Sequence, residues 1–206
     1  MKNICIPRNY CQLRWMVLVL LTPLIVGGSA NKAAQLPQSE RPVKWATPLK
    51  KSGLPNLSQV SPILFRGAQP SHEGMLQLEQ MGVKTVINLR GLHDDEDRLS
   101  GTKLSYVGIR FHTWHPEAED MVKFLKAVTD TNKQPVFVHC KRGIDRTGTM
   151  VALYRIAVQG WTKDEAIREM TKGGFGYDDL FPNLVTYVKK LDVAALQKKA
   201  GIHRDK

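Results

Sequence analysis

The chain has 206 residues, 42% hydrophobic and 24% charged, which suits one globular domain with a sizeable core plus extra segments at the ends. Its formal net charge of +11 favours anionic partners such as phosphorylated substrates, nucleic acid or acidic lipid. The sequence has no zinc-ligand spacing and no basic run interleaved with aromatics, so nucleic acid is not expected as a partner.

Lys2, Arg8 and Arg14 open the chain without an acid, and residues 15–26 are almost wholly apolar. Gly28, Ser29 and Ala30 then supply small residues before a cut after Ala30. Positive head, apolar stretch and small-residue exit are the parts of a secretory signal peptide over 1–30. The alternative is an uncleaved membrane anchor, because counting all of 13–30 gives an apolar run of eighteen residues. Either way the protein is expected outside the cytoplasm, periplasmic or secreted, or anchored and facing out. Cleavage removes Cys5 and Cys11 and leaves Cys140 alone, so the fold cannot depend on an internal disulfide. Losing Lys2, Arg8 and Arg14 lowers the charge from +11 to +8.

Residues 31–56 carry Pro37, Pro42, Pro48 and Pro55 among Gln, Ser and Lys, and read as a linker. The folded domain is expected over 57–200, with 201–206 as a tail. Within it, 60–65 reads as a first strand, 73–81 as a helix ended by Gly82, and 83–89 as a β-branched central strand. The acidic stretch 94–97 reads as a solvated loop or helix start, and 105–111 as another strand. Met121, Val122, Phe124, Leu125 and Val128 fall at helical spacing in 117–131, after Pro116. Residues 135–139 form a short strand that runs straight into Cys140. Helices are expected over 147–158, 163–171 and 183–199, and Thr162 and Glu165 have the spacing of a capping box. Strands alternating with helices, then a helical end, predict an α/β domain with a largely parallel sheet.

The segment His139-Cys-Lys-Arg-Gly-Ile-Asp-Arg-Thr-Gly148 lies between a strand and a helix, where α/β sheets bind ligands. Five residues separate Cys140 from Arg146, enough to curl around one tetrahedral oxyanion. Backbone N–H groups of Lys141, Arg142, Gly143, Ile144 and Asp145 can line such a ring, with Gly143 permitting the curvature. The following helix turns its N-terminus towards the same point. A cysteine there is favoured as thiolate and can attack phosphorus. Arg146 offers a planar fork for two phosphate oxygens. Thr147 can hydrogen-bond the sulfur, His139 can orient the loop, and Lys141 and Arg142 add positive field at the rim.

This string resembles the HC-x5-R-[ST] signature of the cysteine-dependent protein tyrosine phosphatases, in their compact dual-specificity branch. Leu64-Phe-Arg-Gly-Ala-Gln-Pro-Ser71 and Gly82-Val-Lys-Thr-Val-Ile-Asn-Leu-Arg90 look like opening elements of bacterial, fungal and plant members, so the likeness spans residues 57–188. It implies a central, mostly parallel sheet of four or five strands flanked by helices. It also implies phosphomonoester hydrolysis through a phosphocysteine, without metal or organic cofactor, on a phosphoprotein or an inositol phosphate. By the same resemblance Arg66 and Arg90 hold substrate or brace the loop; the plain alternative is a surface salt bridge for each. Trp114 and His115 flank the entrance, unless Trp114 packs on the 117–131 helix. The family's acid is an aspartate before that helix. Here the loop start lacks one, and Asp120 ranks ahead of Glu117, Glu119 and Asp145, the last three being open alternatives. The competing readings are a rhodanese-like sulfurtransferase and a non-catalytic phospho-binding module.

Overall fold

The computed structural model describes residues 41–91 and 95–203. The segment read as signal peptide or anchor, and the linker as far as residue 40, lie outside the described residues.

Six strands form one sheet: β1 (Thr47–Pro48), β2 (Ser58–Ser61), β3 (Leu64–Ala68), β4 (Thr85–Asn88), β5 (Ser105–Gly108) and β6 (Val136–Cys140). Their order is β1-β2-β3-β6-β4-β5. The pairs β3–β6, β6–β4 and β4–β5 are parallel, whereas β1–β2 and β2–β3 are antiparallel. The sheet is therefore mixed and one strand larger than expected. Part of the difference lies at 60–65, read as a single strand. Ser61 pairs with Leu64, so the chain reverses through Pro62 and Ile63. A proline cannot donate to a sheet ladder, and here it marks the hairpin end.

Alternation along the strands separates two cores. Val136, Val138 and Cys140 face the larger one, with Leu64, Ile87 and Leu89. Phe137 faces the other, with Phe65, Met75, Leu78, Val83 and Val86. The smaller core is covered by α1 (His72–Gln80), capped by Ser71, whose Oγ accepts from Gly74 N. The larger is covered by α3 (Ala118–Thr129), α4 (Asp145–Ala157), α5 (Lys163–Lys172), α6 (Pro182–Lys190) and α7 (Val193–Ala200). Short α2 (Glu96–Leu99) precedes β5. Helix α4 is buried nearly all round, as the central helix of a packed layer. The capping box of Thr162 and Glu165 starts α5 as the spacing predicts. The helix expected over 183–199 is two: the chain is extended at Leu191, and Asp192 Oδ1 accepts from Ala195 N to start α7.

The linker reading fails for residues 41–56. Trp45, Ala46 and Leu54 are buried, and Ala46 N donates to Glu169 Oε1 at 2.6 Å. Glu169 also receives Arg155 through Nε (2.8 Å) and Nη2 (2.7 Å), while Arg155 Nη1 donates to Val60 O. This buried, bidentate pair ties the N-terminal segment, β2, α4 and α5 together. Proline content misled here because packing, not flexibility, fixes these residues. At the other end, Ile202 packs against the core, so the tail begins later than expected.

Candidate active site

Strand β6 delivers Cys140 to the edge of the larger core, 3% exposed and unpaired as a thiol. The loop 141–144 then leads into α4. Its shape follows from three carbonyl bonds made on its outer side. Lys141 O accepts from Gln69 N (3.4 Å), Arg142 O from Asn56 Nδ2 (3.1 Å) and Gly143 O from Arg66 Nη2 (2.8 Å). In a trans peptide the N–H points opposite to the C=O. The N–H groups of Arg142, Gly143 and Ile144 are thereby turned to the inside of the loop, beside the N-terminus of α4. Backbone donors converging there, with a helix N-terminus, make a tetrahedral-anion cradle.

Gly143 is required twice. Its φ is +71°, and a Cβ would meet the carbonyl carbon and oxygen of Gly67 at 2.4 Å. Arg66 lies beneath, fully buried, its guanidinium carbon 3.6 Å from the Phe175 ring centroid. Desolvation lowers its pKa to about 10, while the charges of Glu169 and Cys140 act in the opposite sense. Arg66 is a brace under the loop, and the surface-salt-bridge alternative is excluded for it.

His139 points to the opposite face from Cys140 and is fully buried. Its Nε2 lies 2.9 Å from Asp95 Oδ2, and Asp95 Oδ1 accepts from Gln69 Nε2 at 3.1 Å. Burial pushes the Asp95 carboxyl up, but the bonds from His139 and Gln69 outweigh it and hold it below the ordinary value. The acidic stretch is thus not wholly solvated. Neither Asp95 nor Asn56 was legible as a site residue in the sequence, since their partners lie far along the chain.

Arg142 and Thr147 differ from expectation. Arg142 donates to Asp178 Oδ2 (2.7 Å) and Asp145 Oδ2 (3.0 Å), so its side chain braces the loop from outside. Thr147 Oγ1 is buried without a hydrogen-bond partner among the described residues, and the expected bond to the sulfur is not made. Trp114 is 76% exposed and meets the Phe181 ring edge-on at 4.9 Å, so it does not pack on α3.

A cleft of about 450 Å³ opens beside the loop, lined by Arg90, Gly91, Arg110, Phe111, His112, Lys141 and Arg146. Arg146 Nη1 donates to Leu89 O at 3.1 Å, which fixes its guanidinium at the end of β4. Among the described residues, four cations line the cleft and no carboxylate does. Asp120, the expected acid, is the third residue of α3 and turns inward on the face that carries Phe124, 4% exposed. Burial raises its pKa, opposed by Lys123 at 3.8 Å. Glu117 is the N-cap of α3, Glu119 lies 4.0 Å from Lys199, and Asp145 is held by Arg142. Burial is also the first cause of a raised Asp145 pKa. Among the described residues, no three His, Cys, Asp or Glu side chains cluster as metal ligands.

A sequence model of the family described as "DSP-PTPase phosphatase fused to NAD+ Kinase" matches residues 48–179. The chain belongs to the DSP-PTPase family. It is 33% identical to the dual specificity protein phosphatase TpbA of Pseudomonas aeruginosa over 90% of this chain and 83% of that protein. A crystal structure of P. aeruginosa TpbA in complex with pTyr superposes with a TM-score of 0.71, at 32% identity, covering 79% of this chain and 99% of that one. The inositol diphosphatase DSP5 of Arabidopsis thaliana is 29% identical over 57% of this chain and 61% of its own length. This DSP-PTPase member is a cysteine-dependent phosphatase, and the sulfurtransferase and binding-module alternatives are not favoured.

Proposed function

We propose that Cys140 is the nucleophile of this phosphatase, that Arg146 clamps the phosphoryl group, and that polyanionic phosphomonoesters are its preferred substrates. In the first step Cys140 Sγ bonds to phosphorus as the P–O bond to the leaving group breaks. The inward N–H groups of 142–144 and the α4 N-terminus face the oxygens on which charge develops. In the second step water attacks phosphorus and the P–S bond breaks, releasing phosphate and the thiolate. Lys141 contributes positive field at the cleft, and Arg142, Asp145 and His139 keep the loop in shape. The observation that supports a polyanionic substrate is the set of Arg90, Arg110, Lys141 and Arg146 lining the cleft, with no carboxylate among the described lining residues. One phosphate needs fewer cations than four.

Inositol phosphates fit that wall. A phosphotyrosyl protein is the second reading, favoured by exposed Trp114 and Leu180 and by the likeness to the pTyr-bound TpbA. Residues 31–206 are expected to hydrolyse para-nitrophenyl phosphate without added metal, with Cys140→Ser inactive and Arg146→Lys slowed at least roughly a hundredfold, the scale of losing one oxyanion donor. Activity that survives Cys140→Ser would remove the nucleophile. A higher kcat/KM for phosphotyrosyl peptides than for inositol polyphosphates would decide for the second reading.

Export is part of the proposal. The positive head, apolar stretch and Gly28-Ser-Ala30 exit support cleavage after Ala30. Expressed with its leader, the protein should leave the cytoplasm and begin at Asn31 on N-terminal sequencing; a soluble cytoplasmic form keeping Met1 would refute this.

A further inference from the structure

The cleft has to solve a problem of proton transfer. When Sγ attacks phosphorus, the departing oxygen keeps the bonding electrons, and an alkoxide leaves poorly unless it receives a proton. As a class, guanidinium and ammonium groups stay protonated at neutral pH and make poor proton donors. They are what Arg90, Arg110, Arg146 and Lys141 bring to the cleft. Among the described residues, no aspartate or glutamate lines it. His112 does.

The backbone on both sides of His112 is secured. Phe111 is buried in the larger core, and Thr113 O accepts from Asn183 Nδ2 at 2.7 Å. The His112 carbonyl further accepts from His115 N at 3.2 Å. Main-chain bonds thus hold this segment at the cleft, while the His112 side chain itself is exposed and lines the cleft with Arg110, Lys141 and Arg146. Among the described residues, the charged groups around it are the four cations of the cleft and, from α3, Asp120, whose carboxyl senses the His112 charge. Imidazole is the side chain that both gives and takes protons near neutrality.

We propose that His112 is the general acid of this phosphatase, in the place where an aspartate was expected. The inference rests on Cys140 as nucleophile. As the P–O bond breaks, the imidazolium gives its proton to the leaving oxygen and becomes neutral. As water then attacks the phosphocysteine, the neutral imidazole takes a proton from that water, the P–S bond breaks, and the thiolate and the imidazolium are both restored. One proton enters and one leaves in each cycle, and no metal or redox partner is involved.

The test compares His112→Ala, His112→Gln and Asp120→Asn on an alkyl phosphate and on para-nitrophenyl phosphate, whose leaving group needs little help. General acid catalysis is worth roughly 10²–10⁴-fold, so both His112 variants should lose at least about a hundredfold in kcat on the alkyl phosphate and far less on the aryl one. The high-pH limb of the rate profile should flatten. Added imidazole should restore alkyl phosphate turnover to His112→Ala, which a merely structural role would not allow. Unchanged inhibition by vanadate verifies that the cradle is intact in each variant. Equal losses on both substrates, or leaving-group dependence in Asp120→Asn and not in the His112 variants, would overturn the assignment. Cys140→Ser run alongside separates the two readings: if it is dead, such a result removes His112 alone, and if it is active, the nucleophile falls and His112 with it.

Discussion

Asp95 and His139 hold strand β6 from behind. Both are buried, and their bond crosses from the start of α2 to the end of β6. The Asp95 carboxyl is held below its ordinary 3.8, so the charged form is the one the fold prefers. Its contribution to stability is complete above that value and is lost as pH falls through the lower, folded one. Asp95→Asn imitates the protonated state at every pH. The variant should be about 1–3 kcal/mol less stable near neutrality, the cost of weakening a buried charged bond, and the gap should close in strong acid. Urea unfolding of both proteins at neutral and acid pH measures it; a gap independent of pH would show that the charge of Asp95 is not what matters. Arg66 belongs to the same class of residue. Its Nη2 reaches Gly143 O, yet Nε and Nη1 have no hydrogen-bond partner among the described residues, so the stacking on Phe175 carries much of its placement.

At the scale of elements, the strand–loop–helix unit of β6 and α4 is where local sequence speaks most directly. A β-branched run, a cysteine, a glycine and a buried helix follow one another without interruption, so neighbours in sequence are neighbours in space. Gly143 is the point at which the loop of this unit comes closest to the β3 backbone, at Gly67. In Gly143→Ala the left-handed φ alone costs about 1–2 kcal/mol. The new methyl must also displace the Gly67 carbonyl. The variant should lose stability beyond that figure and almost all activity, read by thermal unfolding and by turnover of para-nitrophenyl phosphate. Normal turnover would mean that the loop can be built without this close approach. The hairpin of β2 and β3 and the break before α7 were harder to see. Val60-Ser-Pro-Ile-Leu-Phe65 is apolar enough to pass for one strand, and the 183–199 stretch keeps helical periodicity across the break at Leu191. In both, a single residue marks the break: Pro62 through its missing N–H, Asp192 by capping the start of α7. Asp120 lies inward for a related reason: it is already in the first turn of α3, where helix periodicity sets it on the Phe124 face.

Across the whole molecule, the N-terminal segment behaves as part of the domain. Trp45 is buried near α5, Leu54 in the smaller core, and Lys44 pairs with Glu165. No pattern in 41–56 announced this, since single aromatic anchors leave no period to read. A chain beginning at Leu57 should therefore unfold at clearly lower urea than one beginning at Arg41. In the longer chain, Trp45→Ala should cost about 3–5 kcal/mol, the usual price of emptying a buried aromatic site. Equal midpoints for the two chains would make the segment an ornament. The cationic cleft, too, was only partly visible: Arg90 was flagged, whereas Arg110 and His112 join it because β4 and β5 are parallel and end side by side.

The outward bonds of the loop have a thermodynamic consequence. Dipoles aimed at one point repel one another, and Gln69, Asn56 and Arg66 hold them there against that repulsion. Any tetrahedral oxyanion seated among them relieves it, whether its central atom is phosphorus, sulfur, arsenic or tungsten. Compounds that slow turnover by occupying the cradle therefore also protect the protein from heat. An oxyanion at a hundred times its Kd adds about 2.7 kcal/mol to the folded state. Inhibition and preservation become two readings of one occupancy, and the product phosphate is the first molecule to which both apply.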